Sequence, residues 1–126
     1  MQRGRLAEIG ATRERDRLKR ILENVADPIL VTDDRSNIIL MNPQAELLFQ
    51  HDGLAGEGAR AAAVRGNDTK FTAFISDFTI GQANARREQM RLTQPATGAS
   101  LPVEVVSGKI MNARGEPLAI VSVLHD

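Results

Sequence analysis

Two short apolar runs with a polar turn between them stand near the start of the chain. Residues 28–33 and 38–41 are mostly apolar, whereas residues 34–37 are polar, and this pattern is typical of two strands joined by a hairpin. Asn37 tolerates the left-handed backbone conformation that short hairpin turns often require, so we expect it to adopt that conformation. The stretch therefore predicts a β-hairpin.

A capped helix is predicted directly after the hairpin. Asn42 is a preferred N-cap because its side-chain oxygen accepts a hydrogen bond from an otherwise unpaired helical N–H, and Pro43 suits the first helical position. The residues that follow place Ala45, Leu48 and Phe49 on one face of the helix. We expect this face to pack against the hairpin.

The middle of the chain predicts two helical segments after a glycine-rich break. The glycines of residues 53–58 match neither the dinucleotide-binding fingerprint nor the P-loop, so we interpret them as a connection. Residues 59–64 predict a short helical piece, and residues 66–69 offer caps for a separate helix over about 70–80. Gly81 is expected to end that second helix.

The second predicted helix carries three of the four aromatic residues of the chain on one face. Its apolar positions recur at i, i+3, i+4 and i+7: Phe71, Phe74, Ile75 and Phe78. Two interpretations fit this face: it packs in the core, or its rings line one wall of a cavity for an apolar or weakly polar metabolite. The candidate pocket residues for the second interpretation are Met41, Phe49, Phe71, Phe74, Phe78, Met90 and Val105.

The last third of the chain predicts antiparallel sheet. Apolar and polar residues alternate over 88–93 and again over 101–106, a turn at 95–98 lies between them, and a final apolar run covers 118–124. Two strands, then helices, then three strands exclude a parallel doubly wound sheet, in which strand and helix alternate throughout. The element order therefore predicts an α+β fold.

Residues 23–33 and 38–46 together resemble the start of a PAS domain. In that family an acidic residue ends the first strand and an Asn begins the first core helix, as Asp33 and Asn42 do here. A second resemblance, to the end of a PAS core, lies in residues 101–105 and 119–126. The resemblance implies a five-stranded antiparallel sheet in the order 2-1-5-4-3 with helices on one face.

A charged helix with a narrow apolar stripe is predicted over residues 12–25. Its apolar positions fall at i, i+3, i+4 and i+7: Leu18, Ile21, Leu22 and Val25. The stripe either packs on its own domain or forms the dimer interface of a homodimer; it is too short for an independent coiled coil. We divide the chain into an N-terminal helix and dimerisation appendage, residues 1–25, and a PAS domain, residues 26–126.

Composition limits the partners of the chain. Its 126 residues suffice for one domain, and 16 basic residues balance 16 acidic ones, so no overall field attracts nucleic acid or an anionic membrane. No cysteine is present, and no apolar run approaches the ~20 residues that span a bilayer. We expect a cytoplasmic domain with neither a nucleic-acid partner nor a membrane segment in this chain.

No motif in the sequence indicates catalysis or a metal site. Ser76, His51 and an aspartate could in principle form a Ser–His–Asp triad, but they lie in different predicted elements and no nucleophile elbow accompanies them. Haem is disfavoured because the resemblance implies an axial His on the helix over 70–80, which has none; His51 and His125 lie elsewhere. Flavin is disfavoured because Cys, Trp and Tyr are all missing.

The resemblance implies a sensory and dimerisation module of a larger signal-transduction protein, with a two-component sensor histidine kinase as the leading interpretation. The chain stops at Asp126, where PAS domains continue into a C-terminal effector domain, so we expect the signal to leave there. One alternative is a ligand-free interaction module that docks through its outer sheet face. Others are a regulatory domain of a transcription activator or of a cyclic-dinucleotide enzyme. The chain itself is expected not to be an enzyme.

Overall fold

Five strands and two helices make up the residues that the computed structural model describes, 25–50 and 58–125. In chain order they are β1 (Ile29–Asp33), β2 (Ile38–Met41), α1 (Pro43–Phe49), α2 (Gly58–Ile80), β3 (Ala85–Thr93), β4 (Ser100–Met111) and β5 (Pro117–His125). The strands form one sheet in the order β2-β1-β5-β4-β3, and every neighbouring pair is antiparallel. The predicted fold class and strand order are confirmed. The predicted N-terminal helix lies outside the described residues, except for Val25.

The β1–β2 hairpin is held by the side chain at the end of β1. The Asp33 carboxylate accepts hydrogen bonds from the backbone N–H groups of Arg35 and Asn37, both at 2.9 Å, and from the Asn37 side chain at 3.2 Å. The expectation that Asn37 adopts the left-handed conformation is wrong: Ser36, with φ of 68°, does so. Because the Asp33 carboxylate bonds both the backbone and the side chain of Asn37, the left-handed conformation is adopted one residue earlier, at Ser36.

Asn42 caps α1 as predicted and also joins the helix to the start of the domain. Its Oδ1 accepts from the backbone N–H of Ala45 at 3.0 Å and of Ile29 at 2.9 Å, while its Nδ2 donates to the Asp27 carbonyl at 2.8 Å. The predicted inward face of α1 is confirmed, since its buried residues are Ala45, Leu48 and Phe49.

Helix α2 is a single helix of 23 residues, so the expected break at residues 66–69 is wrong. The polar residue that suggested a cap, Asn67, is buried and directs its side chain to other elements. It donates to the Leu48 carbonyl at 2.9 Å and exchanges two hydrogen bonds with the Thr93 backbone, both at 2.8 Å. These bonds, worth roughly 0.5–1.5 kcal/mol each, offset the ~1 kcal/mol that a mid-helix glycine costs at Gly66.

Gly81 ends α2 as predicted, because its N–H donates to the carbonyls of Asp77 and Phe78, both at 3.2 Å. Neither α2 nor the other helix in the described part of the chain is long and apolar enough to cross a membrane.

The core lies between the two helices and one face of the sheet. Alternation along β3 and β4 turns Leu92, Val103 and Val105 toward the helices, as their spacing predicts. All three strands of the C-terminal half extend beyond the predicted runs. The buried cluster consists of Leu30, Ala45, Leu48, Phe49, Phe71, Phe74, Ile75, Phe78, Leu92, Val103, Val105, Ile120 and Leu124.

Candidate functional site

The structure brings the predicted pocket residues together in and around one buried cluster. Phe49, Phe71, Phe74, Phe78 and Val105 belong to the cluster, while Met41 and Met90 pack against it. The ring centroids of Phe49 and Phe71 are 5.4 Å apart, and those of Phe74 and Phe78 are 6.2 Å apart. Core packing and a pocket wall both require this proximity, so the pocket assignment stays a prediction.

A row of buried hydroxyl groups crosses the inner face of the sheet beside these rings. Ser107 Oγ on β4 and Ser122 Oγ on β5 are 2.6 Å apart, and Thr32 Oγ1 on β1 donates to the Ile120 carbonyl at 3.5 Å. A hydroxyl has one donor and two acceptor positions, so the serine pair keeps hydrogen-bonding capacity after bonding to itself. These are the polar groups that a weakly polar ligand in the core would meet.

Sequence reasoning missed the serine pair, although a signal was present. Ser107 and Ser122 each lie two residues after an inward apolar residue, Val105 and Ile120, on a strand with alternating burial. The period of two places both hydroxyls on the inner face. Their distance from one another depends on the pairing of β4 with β5, in which they are direct partners.

Two cations lie over rings of the aromatic face of α2. The Arg86 guanidinium lies 5.4 Å from the centre of the Phe74 ring, and Lys109 Nζ lies 5.0 Å from that of Phe78. Arg86 also bonds Asp77 at 2.7 Å and Glu88 at 3.2 Å. The hydrogen bond to Asp77 is the largest cause that raises the pKa of Arg86, a side chain that is charged at physiological pH in any case.

A surface groove of about 630 Å³ lies between α2 and β3. Two predicted pocket residues, Phe74 and Met90, contribute apolar surface to it, and Lys70 lies along its side. Lys70 Nζ reaches across to the Arg91 carbonyl of β3 at 2.6 Å. Part of the predicted pocket set therefore faces a surface groove as well as the core.

The two ends of the domain meet beside β1 and β5. His125 Nδ1 lies 2.8 Å from a carboxylate oxygen of Asp27, and the Leu124 N–H donates to the Pro28 carbonyl at 3.0 Å. The segment that enters the domain is thus bonded to the strand that leaves it. His125, which lies outside the helix that would carry an axial haem ligand, is a partner of Asp27 in this structure.

The predicted dimer stripe and signal exit lie largely outside the part of the chain that the structure describes. Leu18, Ile21, Leu22, His51 and Asp126 lie outside the described residues. Val25 is half-buried, and its carbonyl lies 3.5 Å from Asn42 Nδ2. Ser76 contacts the hairpin, where its Oγ is 3.1 Å from that of Ser36. Over residues 25–50 and 58–125, no three His, Asp or Glu side chains come together in a way that could hold a metal ion.

Comparison with solved structures finds the same fold in bacterial and archaeal proteins. The PAS domain of BvgS from Bordetella pertussis is 18% identical, with a TM-score of 0.61 over 90% of this chain and 86% of that one. The PAS domain of an HTR-like protein from Haloarcula marismortui is 20% identical, with a TM-score of 0.56 over 98% and 99% of the two chains.

A third similar structure is a domain of a sensory box sensor histidine kinase/response regulator from Geobacter sulfurreducens. It is 18% identical, with a TM-score of 0.56 over 92% of this chain and 96% of that one. Comparison with curated proteins found no match. The family model for the PAS fold matches residues 16–126. The five-stranded sheet, its strand order and this match show that the chain belongs to the PAS family of sensory domains.

Proposed function

We propose that the chain is the sensory and dimerisation module of a cytoplasmic sensor histidine kinase, and that it relays the state of a ligand or partner to a C-terminal output domain. The observation that carries this proposal is the junction of Asp27 and His125, where the entering and leaving segments are bonded to each other. A displacement of one segment would therefore displace the other. The similar domain from a sensor histidine kinase of Geobacter sulfurreducens supports the same assignment.

Strand β5 is the mechanical link in this proposal. Its Ser122 and Leu124 face the core, whereas Val121 and Val123 face the opposite side of the sheet. A ligand that binds two arrangements of the core with different affinity shifts the population between them, and β5 passes that shift to both ends of the domain. The output domain then reads the relative position of the two segments.

The proposed ligand is a small apolar or weakly polar molecule held between α2 and the inner sheet face. The aromatic rings would supply its apolar contacts, and Ser107 and Ser122 its hydrogen bonds. Phe71 and Phe78 are at most 1% exposed, so the ligand would enter by separating packed side chains. Binding would therefore change the shape of the core, as a sensor requires.

Mass spectrometry of material extracted from the natively purified chain tests the ligand. We expect a released small molecule, and expect Val105→Leu to reduce its amount because the substitution adds a methylene to a fully buried position. The matched control is Val106→Leu, one residue along β4 on the outer face, which should retain the ligand. If the wild-type chain releases nothing, the ligand part of the proposal fails.

The proposed homodimer uses the N-terminal stripe of Leu18, Ile21, Leu22 and Val25. The outer sheet face offers further apolar surface for the dimer, since Val31, Val106, Val121 and Val123 are only half-buried in the structure. Sedimentation velocity tests the dimer: wild type should be dimeric at tens of micromolar and Leu22→Asp monomeric. Arg114→Glu, in the β4–β5 turn, controls for charge. A monomeric wild-type chain at that concentration contradicts the dimer.

The second candidate function is a ligand-free interaction module that docks a partner domain. The dense core favours it, because Phe71, Ile75 and Val105 are fully buried by one another and by their neighbours. Failure to extract any ligand, together with a wild-type dimer, would select this candidate. The output domain could equally belong to a transcription activator or a cyclic-dinucleotide enzyme, and the sequence that follows Asp126 in the full-length protein would distinguish these from a kinase.

A further inference from the structure

Strand β3 lies at the edge of the sheet, so one side of its backbone has no neighbouring strand among residues 25–50 and 58–125. At its two ends, Gln94 donates to the Ala99 carbonyl and Lys109 donates to the Asn84 carbonyl, at 2.8 and 2.9 Å. In an antiparallel strand, alternate residues direct both backbone groups to the same side. The residues of β3 that direct their N–H and C=O groups away from β4 are therefore Ala85, Arg87, Gln89, Arg91 and Thr93.

Helix α2 already occupies one end of this edge. The side-chain amide of Asn67 accepts from the Thr93 N–H and donates to the Thr93 carbonyl, so it imitates the pair of bonds that another strand would make. Lys70 takes the next edge-directed carbonyl, that of Arg91. Toward the N-terminal end of β3, the edge-directed groups have no such partner within the described part of the chain.

We call the remaining part, Ala85, Arg87 and Gln89, the open edge. Gln89 also lines the groove between α2 and β3, where Phe74 and Met90 provide apolar surface. The open edge therefore lies next to a recess that combines this apolar surface with the charged side chains of Asp77, Arg86 and Glu88. A strand added to the edge would place every second side chain in that recess.

Positive charge exceeds negative charge around the open edge. The Arg87 side chain is 70% exposed and only approaches Glu104, at 3.5 Å. Arg91 bonds a neutral group, the Ser100 hydroxyl, at 2.8 Å, and Lys70 bonds a carbonyl. Asp77 and Glu88, the carboxylates that line the groove, share the single cation Arg86, and Arg87 pairs with Glu104. Within the described residues the surplus positive charge therefore lies at Arg91 and Lys70, where it is available to an incoming acidic group.

We propose that the open edge and the adjoining groove bind an extended acidic segment of a partner protein by strand addition. On one face of the added strand, side chains lie beside Arg87 and Arg91, where carboxylates are favoured. On the other face, they enter the groove beside Met90 and the Phe74 ring that Arg86 covers, where apolar side chains are favoured. The recognised pattern is acidic, apolar, acidic at consecutive positions.

The same charges disfavour a second copy of this chain as the occupant. If two β3 edges paired antiparallel about Gln89, Arg87 of one copy would lie opposite Arg91 of the other. Like charges directly opposite each other destabilise a sheet. The arginines thus protect the edge from self-pairing and leave it open to an acidic strand.

Fluorescence anisotropy with the whole chain and labelled seven-residue peptides tests the proposal. The first peptide alternates Glu and Val; the second alternates Lys and Val. We expect the Glu peptide to bind at least about tenfold more tightly than the Lys peptide, a difference of about 1.4 kcal/mol. No saturable binding of the Glu peptide at millimolar concentration would overturn the proposal, and equal binding of the two would overturn its charge component.

Two N-methylated versions of the Glu peptide separate strand addition from simple charge attraction. Methyl groups on the Glu amides block an antiparallel strand, because the residues opposite Arg87 and Gln89 share their face and exchange hydrogen bonds with them. Methyl groups on the Val amides block a parallel strand. We expect one version alone to lose about tenfold or more in affinity. If both bind like the unmethylated peptide, strand addition is refuted.

A charge-reversal pair in the protein locates the site. Arg87→Glu should weaken the Glu peptide at least about tenfold and strengthen the Lys peptide, because it inverts the charge next to the edge. Arg114→Glu makes the same change in the β4–β5 turn and should leave both affinities as in wild type. Equal effects of the two variants would show that net charge, not the open edge, controls binding. Far-UV circular dichroism confirms that both variants fold, and the peptide series on wild type stands independently of them.

Discussion

Asn42 and Asn67 are both buried, and the side chain of each bonds at least three backbone groups, yet one begins a helix and the other lies within one. Asn42 makes one local bond, to the Ala45 N–H in the first turn of α1, and bonds Ile29 and Asp27 at the start of the domain, 13 and 15 residues away. Asn67 bonds to residues 19 and 26 positions away, at the end of α1 and of β3. The same residue type therefore serves as a local cap in one region and as a long-range clamp in the other.

The contrast shows how strongly context decides what an asparagine does. A cap is formed by residues close in sequence, so its pattern can be recognised before folding. A clamp exists only when three elements have packed together, because none of its partners is near in sequence. Helix α2 continues through Asn67 for this reason: the side chain that could have ended the preceding turn is already bonded elsewhere.

The largest effect is expected from removal of the clamp. Asn67→Ala leaves the Leu48 carbonyl and both Thr93 backbone groups without their partner, and we expect a loss of about 3 kcal/mol in the free energy of unfolding, at about 1 kcal/mol for each bond. Urea denaturation measures it. Asp68→Ala, the exposed neighbour, should change stability by less than about 0.5 kcal/mol. A small effect at Asn67 would mean that the clamp is not what carries the helix past residue 67.

A loss of similar size, about 3 kcal/mol at the same value for each bond, is expected for Asn42→Ala, which removes the cap and the bonds to Ile29 and Asp27. Asn42→Asp sharpens the test, because a carboxylate still accepts from the Ala45 and Ile29 N–H groups but cannot donate to the Asp27 carbonyl. It should be more stable than the alanine variant. Equal losses for the two variants would assign the whole effect to the donated bond.

The third prediction concerns the continuity of α2, and here the substitution is expected to raise the free energy of unfolding. Gly66→Ala should stabilise the chain by about 0.5–1 kcal/mol, since Gly66 is inside a helix and a Cβ there would meet no atom within 4 Å apart from its chain neighbours and the nearby backbone of its own helix. Gly98→Ala is the matched control and should be destabilising, because Gly98 has a φ of +80°. Thermal unfolding compares the two; destabilisation by Gly66→Ala would restore the two-helix interpretation of this segment.

The smallest effect is expected at the hairpin turn and depends on pH. The hydrogen bond from the Asn37 N–H, followed by those from Arg35 and the Asn37 side chain, holds the pKa of Asp33 below its ordinary value of 3.8. A lowered folded-state pKa adds stability above the unfolded-state pKa, and this stability is lost as pH falls through the folded-state value. The difference in stability between wild type and Asp33→Asn should thus be constant from about pH 7 to 5 and shrink below about pH 4. Urea unfolding at each pH measures it; a difference that grows toward acid pH would contradict the assignment.

The candidate site also contains some features that neighbours in the chain determine and others that require distant segments to pack. Spacing along α2 was enough to place Phe71, Phe74 and Phe78 on one face, because a helix repeats every 3.6 residues. Alternation could also have placed Ser107 and Ser122 inward. Their hydrogen bond, and the junction of Asp27 with His125, required the pairing of β5 with β4 and β1. The open edge required more still, since which residues face outward depends on strand order and register together.

The sequence by itself determined the features that depend on neighbours in the chain: the hairpin and capped helix, the inward faces of the helices and strands, and the family resemblance. Tertiary structure alone decided that α2 passes through Gly66 and Asn67, and that Asn67 and Lys70 close one end of the β3 edge while the other end has no partner in the described part of the chain. The physical reason is that periodicity and capping act within a few residues, whereas the partners of a buried polar group or an edge strand are chosen only when distant segments pack.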